Sequence, residues 1–236
     1  MRQSYQLRRW PDTPAFQSVA KRWCVDQSYL LMDLVWRAID VLVDQDIIKV
    51  PVEVTDEAKE ESLNNMMHAR IDQLKSGDEP FAVVHQPPEQ SSRKTPNAQS
   101  PTPDLSFTWY ENLNCVWPIE GKVLDNENDL DAYGKEITEN YETGRYCAFS
   151  SEGAMLGYLL TGDPAQVLKN IAKRISKRLV VHPQFLDRDH RISKHKRRRS
   201  TETVSTSFNC HHVVFLVGHQ SADRPFFGKT SHQTGL

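Results

Sequence analysis

The chain lacks the long apolar segments that would place it in or across a membrane. None of its apolar runs approaches the roughly 18 residues that a transmembrane helix requires. Its first residues, MRQSYQLRRWPDTP, also lack the apolar centre of a secretory signal peptide. Hydrophobic residues make up 38% of the 236 residues, which is enough for a core, and the mean hydropathy is −0.60. We therefore expect a soluble cytoplasmic protein without a membrane partner.

Cysteine is scarce, and its spacing excludes the common cysteine-based sites. The four cysteines are Cys24, Cys115, Cys147 and Cys210. They lie far apart and form no CxxC pair, which argues against a structural zinc site of that type and against a secreted disulfide framework. His211 and His212 raise the question of zinc again. Adjacent residues of a strand point to opposite faces, so this pair is not expected to bind one ion.

Charge is nearly balanced overall but segregated along the chain. The sequence has 29 basic and 31 acidic residues, for a net charge of −2. Residues 169–199 contain twelve Lys or Arg, offset only by Asp187 and Asp189, whereas residues 120–152 are acidic in balance. An acidic centre beside a basic strip suits a site that binds metal ions next to a surface that binds phosphates. A solvated basic loop is the alternative interpretation of the strip.

The first third of the chain predicts two helices and a short strand. Apolar residues recur every three or four positions over 26–45, which predicts a helix. Thr55 precedes an acidic first turn typical of a helix start, and this second helix is expected to end near Lys75. An apolar strand is expected at 81–84. Residues 86–103 are rich in Pro, Ser and Gln and are interpreted as a flexible insertion.

A β-hairpin is expected after the insertion. Residues 105–110 and 115–124 are rich in strand-forming residues, and the polar segment 111–114 between them has the composition of a turn. Pro118 lies within the second run and favours an edge position or a bulge, because proline cannot donate to a strand ladder.

The second half of the chain alternates between helix and strand. The pattern predicts a helix over 130–142, a buried strand over 154–160, a basic helix over 163–178 and a final strand over 210–217. The basic segment 188–206 is interpreted as a loop. The alternation predicts an α/β protein with a mixed sheet flanked by helices.

These elements suggest one main domain with additions at both ends. The domain is expected to span residues 55–217, with an N-terminal helical extension over 1–54 and a C-terminal tail over 218–236. The extension is a candidate surface for a protein partner or a homodimer.

The hairpin brings acidic and basic residues together. A turn centred between residues 112 and 113 would place Asp104 opposite the stretch from Glu120 to Lys122. Glu120 and Lys122 are two residues apart, so their side chains share one face of the strand. Asp104 joins that face only if the register departs by one residue from the centred turn. A bulge at Pro118 would supply that shift.

The residue types and their spacing point to phosphodiester chemistry. Hydrolysis needs a cation on the phosphate, an activated water and a stabilised leaving oxygen. The order Pro103-Asp104, fifteen residues, then Glu120-Gly121-Lys122 resembles the PD-(D/E)xK nuclease superfamily, which includes restriction endonucleases. The tripeptide alone is a weak signal. Its place at the end of an apolar strand, with helices before and after the hairpin, strengthens the resemblance.

The resemblance implies a restriction-endonuclease-like fold and a nuclease that depends on Mg²⁺ or Mn²⁺. It assigns Asp104, Glu120 and Lys122 as catalytic residues. The metal ligands would be the two carboxylates and the carbonyl of Gly121, since Mg²⁺ prefers oxygen ligands. Lys122 would position the attacking water.

In this superfamily the helix before the sheet often supplies a further acid to the metal site. Glu60 and Glu61 are the candidates here, and Glu61 is assigned to the metal set; solvated helix acids are the alternative. The segments 143–146 and 151–158 resemble parts of uncharacterised bacterial proteins encoded near restriction and antiphage genes. This likeness implies a role in defence against phage or in restriction.

Nucleic acid, expected to be DNA, is the implied partner. The residues expected to contact its backbone are Arg145, Lys169, Lys173, Lys177, Arg197 and Arg198. The sequence has no recognisable helix-turn-helix or zinc finger, so specificity would come from DNA structure, DNA ends or a partner protein. The alternatives are a non-catalytic nucleic-acid-binding or complex-forming module on the same fold, and a structural protein with a chance motif.

Overall fold

The first helices lie where the apolar periodicity and the capping residue place them. The computed structural model describes residues 14–46, 55–77, 79–88, 100–125, 127–146, 148–198 and 206–217. Helix α1 spans Pro14–Val41 and continues as one π-helical turn over Leu42–Asp46, so it begins earlier than predicted. Helix α2 spans Asp56–Leu74. Thr55 caps it as predicted, because its hydroxyl accepts the Ala58 N–H at 3.3 Å.

Seven strands form one mixed sheet, which confirms the predicted α/β class. The strands are β1 (Phe81–His85), β2 (Leu105–Trp109), β3 (Asn112–Leu124), β4 (Glu152–Leu159), β5 (Val180–Val181), β6 (His190–Lys196) and β7 (Ser207–Leu216). Their order across the sheet is β1-β2-β3-β4-β7-β6-β5. The pairs β3–β4 and β4–β7 are parallel, and the other pairs are antiparallel. The parallel pairs form the centre of the sheet.

Two further helices follow the predicted positions. Helix α3 spans Glu127–Glu136 and continues as a π-helical turn over Ile137–Tyr141, and Gly144 follows it with a φ of 72°. Helix α4 spans Pro164–Arg174. The Asp163 carboxylate caps α4 by accepting the Ala165 N–H at 3.1 Å, and proline fits the first turn because its missing N–H has no partner there.

Both faces of the sheet are covered. Helices α1 and α2 pack on one face and α3 and α4 on the other, so β4 is buried along nearly its whole length. The alternation along β4 shows this directly: Leu156 and Tyr158 pack with the α1 side, whereas Met155 and Leu159 pack with the α3 side. Burial on both faces explains why β4 is a continuous apolar run rather than an alternating one.

Helix α1 contributes its apolar face to this interior. Leu31, Val35 and Leu42 belong to the same buried cluster as Leu63 of α2 and Trp117 of β3. The apolar face of the N-terminal segment is therefore used inside the protein. Over residues 28–46, whose side chains are described, a partner surface would have to use the outer side, where Tyr29, Leu30 and Val43 are exposed.

The basic segment that was interpreted as a loop contains a strand. Residues His190–Lys196 form β6, which pairs with β7 from His190 opposite Val213 to Lys196 opposite Ser207. The charged residues obscured the strand pattern, although Ser193 and His195 are buried and Lys194 and Lys196 are exposed in strict alternation. The short edge strand β5 was also not predicted. Residues 89–99 of the predicted insertion, residues 199–205 of the predicted loop, and the tail 218–236 lie outside the described residues.

Pro118 is accommodated without a bulge at its own position. It faces Ser106 of β2, and β3 pairs with β4 only from Ile119 onwards, so this part of β3 has a neighbour on one side only. The missing N–H is tolerated as at a sheet edge. Among the described residues, no helix is both long enough and apolar enough to cross a membrane.

Candidate active site

Asp104 and Glu120 meet where β2 begins. Leu105 faces Ile119, which places Asp104 opposite Glu120, one residue off the centred register. The Asp104 carboxylate accepts the Gly121 N–H at 2.9 Å, and the Glu120 carboxylate accepts the Asp104 N–H at 3.3 Å. The register shift lies between Thr108 and Trp109, and not at Pro118, where a bulge was one of two alternatives. The reciprocal backbone bonds hold both carboxylates at one point of the hairpin.

Lys122 connects this pair to helix α2. Its Nζ lies 3.3 Å from Oε1 of Glu120 and 2.8 Å from Oε1 of Glu60. The other oxygen of Glu60 accepts the Val123 N–H at 3.2 Å. The predicted acids and lysine are thus brought together, and the helix before the sheet adds one more acid.

The helix acid at the site is Glu60 and not Glu61. Glu61 is exposed, and its charge acts on His85. One residue along an α-helix rotates a side chain by about 100°, so only one of two adjacent acids can face the hairpin. The assignment of Glu61 to the metal set is corrected on this ground.

Burial raises the pKa of both hairpin carboxylates. It raises the pKa of Asp104 to about 6, although the nearby Lys122 ammonium and the Gly121 N–H act in the opposite direction. Burial, and then the charge of Asp104, raise the pKa of Glu120 well above its ordinary value. Burial alone would lower the pKa of Lys122, but Glu120 and Glu60 outweigh it and raise the pKa, so the lysine remains charged.

The site has more acid than its lysine can neutralise. The charges of Glu60, Asp104 and Glu120 all act on the Lys122 ammonium, and Glu136 of α3 adds a fourth carboxylate whose charge acts on Glu120. Carboxylates pushed together in a low-dielectric site favour the binding of a cation. The donors are hard oxygens, which fit Mg²⁺ or Mn²⁺ better than softer metals.

Four residues at this site were not found from the sequence. Asn64 and Tyr158 lie against Gly121, and Tyr146 donates its hydroxyl to the carbonyl of Thr102 at 3.1 Å, just before Asp104. The fourth is Glu136. Only Asn64 had a usable signal, since residues four apart share a helix face and Asn64 follows Glu60 by four.

The basic residues assigned to nucleic acid differ in how far their side chains are exposed. Lys169 and Lys173 are exposed on α4, and Lys177 is partly buried near His195. Arg145 is partly buried and directly precedes Tyr146. Of the three lysines assigned to nucleic acid, Lys169 and Lys173 are therefore the exposed ones.

Arg197 and Arg198 were both expected to contact nucleic acid, but they differ in exposure. Arg197 is only 4% exposed; its guanidinium donates to the Ser150 carbonyl and lies 5.4 Å from the centre of the Phe208 ring. The buried guanidinium is therefore not available to a phosphate, and its assignment as a nucleic-acid contact is corrected. Arg198 has a side chain that is 61% exposed and pairs with Glu142 at 3.1 Å.

Three buried histidines form a second cluster, beneath α1. One ring nitrogen of each of His182, His190 and His211 lies within 4.8 Å of the others, a spacing that resembles a metal site. The Trp36 indole N–H donates to Nδ1 of His190 at 3.2 Å, and the Gln184 backbone N–H donates to Nδ1 of His182 at 3.2 Å. The indole N–H and the backbone N–H can only donate, so Nδ1 of each histidine must accept. The proton of each neutral imidazole is therefore on Nε2.

These tautomers determine the direction of the next hydrogen bond in the cluster. Nε2 of His190 donates to Nδ1 of His211 at 3.0 Å, and Nε2 of His211 faces Glu152 at 3.5 Å. The cluster is thus a directed chain of hydrogen bonds from Trp36 to His211, with protons on His182 and His190 where a metal site needs lone pairs. His211 and His212 point to opposite faces as expected, since His212 contacts Tyr133 on the α3 side.

A serine–histidine–acid arrangement lies on the α3 side of the sheet. Ser193 Oγ is 2.6 Å from Nε2 of His195, and Nδ1 of His195 is 3.0 Å from Glu142. Ser193 and His195 are each 1% exposed, and Ser193 also contacts His212 at 2.7 Å. A nucleophile needs access to its substrate. The group is therefore a buried polar network and not a hydrolytic triad.

Comparisons with protein-family models, with curated proteins and with solved structures found no match to this chain.

Proposed function

We propose that the chain is a metal-dependent nuclease that hydrolyses phosphodiester bonds of nucleic acid, with DNA as the expected substrate. One observation carries the proposal. Asp104, Glu120 and Lys122, which come from both strands of a hairpin, converge at one point with Glu60 from α2. Carboxylates that can hold a metal beside a lysine that can orient a water fit the needs of metal-assisted phosphoryl transfer.

The resemblance to the PD-(D/E)xK superfamily supports the same proposal. Helix α2, strands β1 to β3, helix α3 and strand β4 follow one another in the order that the resemblance leads us to expect. The acid–x–lysine tripeptide lies in β3, and Asp104 lies immediately before its antiparallel neighbour β2. A bacterial role in restriction or in defence against phage follows from the sequence likeness and is part of the proposal.

Each residue has a distinct role in the proposed reaction. Asp104 and Glu120 hold the metal, with the carbonyl of Gly121 as a backbone ligand and Glu60 as the additional acid. Bound Mg²⁺ or Mn²⁺ neutralises charge on the phosphate and lowers the pKa of a coordinated water. Lys122 remains protonated between Glu60 and Glu120, where its ammonium can orient the water and offset phosphate charge.

The test is a cleavage assay with matched variants. Wild type, Glu120→Gln and Lys122→Met are incubated with plasmid, linear duplex DNA, single-stranded DNA and RNA, each with Mg²⁺, Mn²⁺ or a chelator. Lys135→Met is the control, because Lys135 is an exposed lysine that pairs with Glu139 at 3.9 Å. Metal-dependent cleavage that both site variants lose and the control retains supports the proposal.

Two other results would each reject catalysis at this site. Binding of nucleic acid by wild type, with no cleavage and no effect of either site variant, identifies a non-catalytic binding module. Cleavage that persists in Glu120→Gln and Lys122→Met at wild-type rate places the activity elsewhere or in a contaminant.

A further inference from the structure

A groove lined by basic residues lies at the β5 edge of the sheet. It is a cavity of about 410 Å³, and its lining comes from β5, β6 and the segment after α4. Three of the lining residues are cations: Lys177, Arg178 and Lys194. Arg178 and Lys194 are exposed, and Lys177 is partly buried. Among the described residues, seven line this basic groove and none of them is acidic, so its lining has a net positive charge.

The three cations of the basic groove differ from other basic residues nearby in how they are paired. Arg174 of α4 pairs with Asp131 at 2.8 Å, and Arg198, after β6, pairs with Glu142 at 3.1 Å. Within the described ranges, none of the three groove cations forms an ion pair with a carboxylate. Their charges are therefore available to an anionic ligand.

The rest of the lining is apolar, and this restricts the kind of ligand that fits. Val180, Val181 and Ile192 line the groove, and the two valines are 52% and 41% exposed. Lysine and arginine side chains can only donate hydrogen bonds, so the lining side chains offer donors and no acceptors. A sugar–phosphate backbone presents accepting oxygens beside apolar sugar edges, whereas the edges of bases present donors as well. The lining fits the backbone and would not read the sequence.

The basic groove is aligned with the acids of the candidate active site. Glu120 and Val181 lie in one row across the sheet, in which each residue faces the next: Glu120, Met155, His212, Arg191 and Val181. The row spans four strand spacings, or ~19 Å along the sheet. Successive phosphates of a duplex strand are ~3.4 Å apart along the helix axis, so the row corresponds to roughly six base pairs.

We propose that the basic groove binds the phosphate backbone of the nucleic acid whose cleavage is assigned to the hairpin acids. The backbone contact lies roughly six base pairs from the cleaved bond, as the ~19 Å row implies. The link to cleavage rests on the proposed function, whereas the binding of nucleic acid in the groove does not. The contact is independent of sequence, because it involves phosphates alone.

The first experiment measures binding with a chelator present, so that no cleavage occurs. The affinity for a fluorescent duplex of about 24 base pairs, four times the proposed span, is measured by anisotropy at several salt concentrations. The groove variant is Arg178→Gln with Lys194→Gln. Near 0.1 M salt it should bind roughly tenfold to a hundredfold more weakly than wild type, and its salt dependence should lose about two phosphate contacts.

The matched control also removes one arginine and one lysine. It is Arg37→Gln with Lys135→Gln, since both side chains are exposed and lie 3.9 Å from Asp33 and Glu139, respectively. It should bind within about twofold of wild type, because exposed cations outside the contact release no counterions. Equal loss of affinity in the groove variant and the control, or no loss in either, would overturn the proposal.

A second variant tests the groove without removing a cation. Val181→Asp adds a negative charge to the lining and should also weaken binding of the duplex. Leu113→Asp adds the same charge at the hairpin turn, where Leu113 is 69% exposed, and should bind like wild type. Unchanged binding by Val181→Asp would contradict the proposal. So would a groove variant that loses affinity for poly-glutamate but not for DNA, which would identify an acidic protein segment as the occupant.

Cleavage assays separate this inference from the proposed function. Loss of DNA binding in both groove variants, with no cleavage by wild type under any metal condition, keeps the groove and rejects the nuclease. If wild type cleaves, the groove variant should cut long duplexes more slowly. The two proteins should cut at equal rates where the duplex extends less than about six base pairs to either side of the cut. An effect of the groove variant that is the same at every length would overturn the alignment of groove and acids.

Discussion

Nζ of Lys122 lies 2.8 Å from Oε1 of Glu60, although 62 residues separate the two along the chain. The contact joins helix α2 to strand β3 of the hairpin. Because Glu60 also accepts the Val123 N–H at 3.2 Å, its carboxylate is held from two directions and cannot turn away freely. Glu60 is therefore a fixed part of the site.

This contact predicts different effects for two adjacent glutamates. Glu60→Gln should reduce metal-dependent cleavage by roughly tenfold or more, as is common when a partner of a metal ligand or catalytic group is neutralised. Glu61→Gln should leave the rate within about twofold of wild type, because Glu61 is exposed and directed elsewhere. Initial rates on the preferred substrate, at saturating Mg²⁺, provide the measurement. Equal losses in the two variants would contradict the assignment of Glu60.

The raised pKa of Asp104 predicts how stability depends on pH without metal. The pKa is about 6 in the folded protein and 3.8 as the ordinary value, so the folded state binds the proton more tightly than the unfolded state. The stabilisation is therefore complete below about pH 4 and is lost as the pH rises through 6. Between pH 4 and 7 the shift is worth on the order of 2 kcal/mol after allowance for its coupling to Glu120.

Asp104→Asn should remove this dependence. In the presence of a chelator, the variant should have a higher melting temperature than wild type at pH 7 and a similar one at pH 4. Thermal unfolding of both proteins at several pH values is the measurement, and added Mg²⁺ should raise the melting temperature of wild type more than that of the variant. A wild type that is more stable than Asp104→Asn at pH 7 without metal would refute the raised pKa.

The sequence predicted the two halves of the hairpin but not their register. Asp104 joins Glu120 because the irregularity lies at Thr108 and Trp109, and nothing local distinguishes that position from Pro118. The turn residues alone leave this choice open, since it depends on how the strands pack against α2 and β4. The sequence did predict α2, β4 and α4, because capping residues and apolar runs are local properties of the chain.

The residues missed by sequence analysis are those whose roles arise from contacts between distant segments. Asn64 and Tyr158 are 94 positions apart and meet only because α2 lies over β3 and β4. The strand β6 was missed for a different reason. Burial alternates along β6, but the buried positions are the polar residues Ser193 and His195. Polar residues are typical of loops, and their burial is explained only by their partners His212 and Glu142.

The two neighbouring arginines of the basic segment should differ in their effect on stability. Arg197→Ala should lower the free energy of unfolding by roughly 2 kcal/mol, because the Ser150 carbonyl loses a buried charged donor and the packing on Phe208 is lost. Arg198→Ala removes a largely exposed ion pair with Glu142 and should cost at most about 1 kcal/mol. Urea unfolding of the two variants gives the comparison. An Arg197→Ala protein with wild-type stability and weakened DNA binding would restore Arg197 to the nucleic-acid surface.

The histidine cluster beneath α1 should hold no metal. Nδ1 of His182 and Nδ1 of His190 each accept a hydrogen bond from an N–H donor, so Nε2 of each ring carries the proton. A metal could bind Nε2 in one of two ways. It would either remove that proton and leave an imidazolate, or move the proton to Nδ1 and break the hydrogen bond with Trp36 or Gln184. We therefore expect elemental analysis of the purified protein to find less than about 0.1 zinc per chain, and a chelator to leave its melting temperature unchanged at pH 7. Trp36→Phe is the informative variant, since removing the indole donor frees His190 to present a lone pair at Nε2, and it should bind zinc more tightly than wild type. One zinc per chain in wild type, lost in His211→Ala, would show that the metal and not Trp36 sets the tautomers of the cluster.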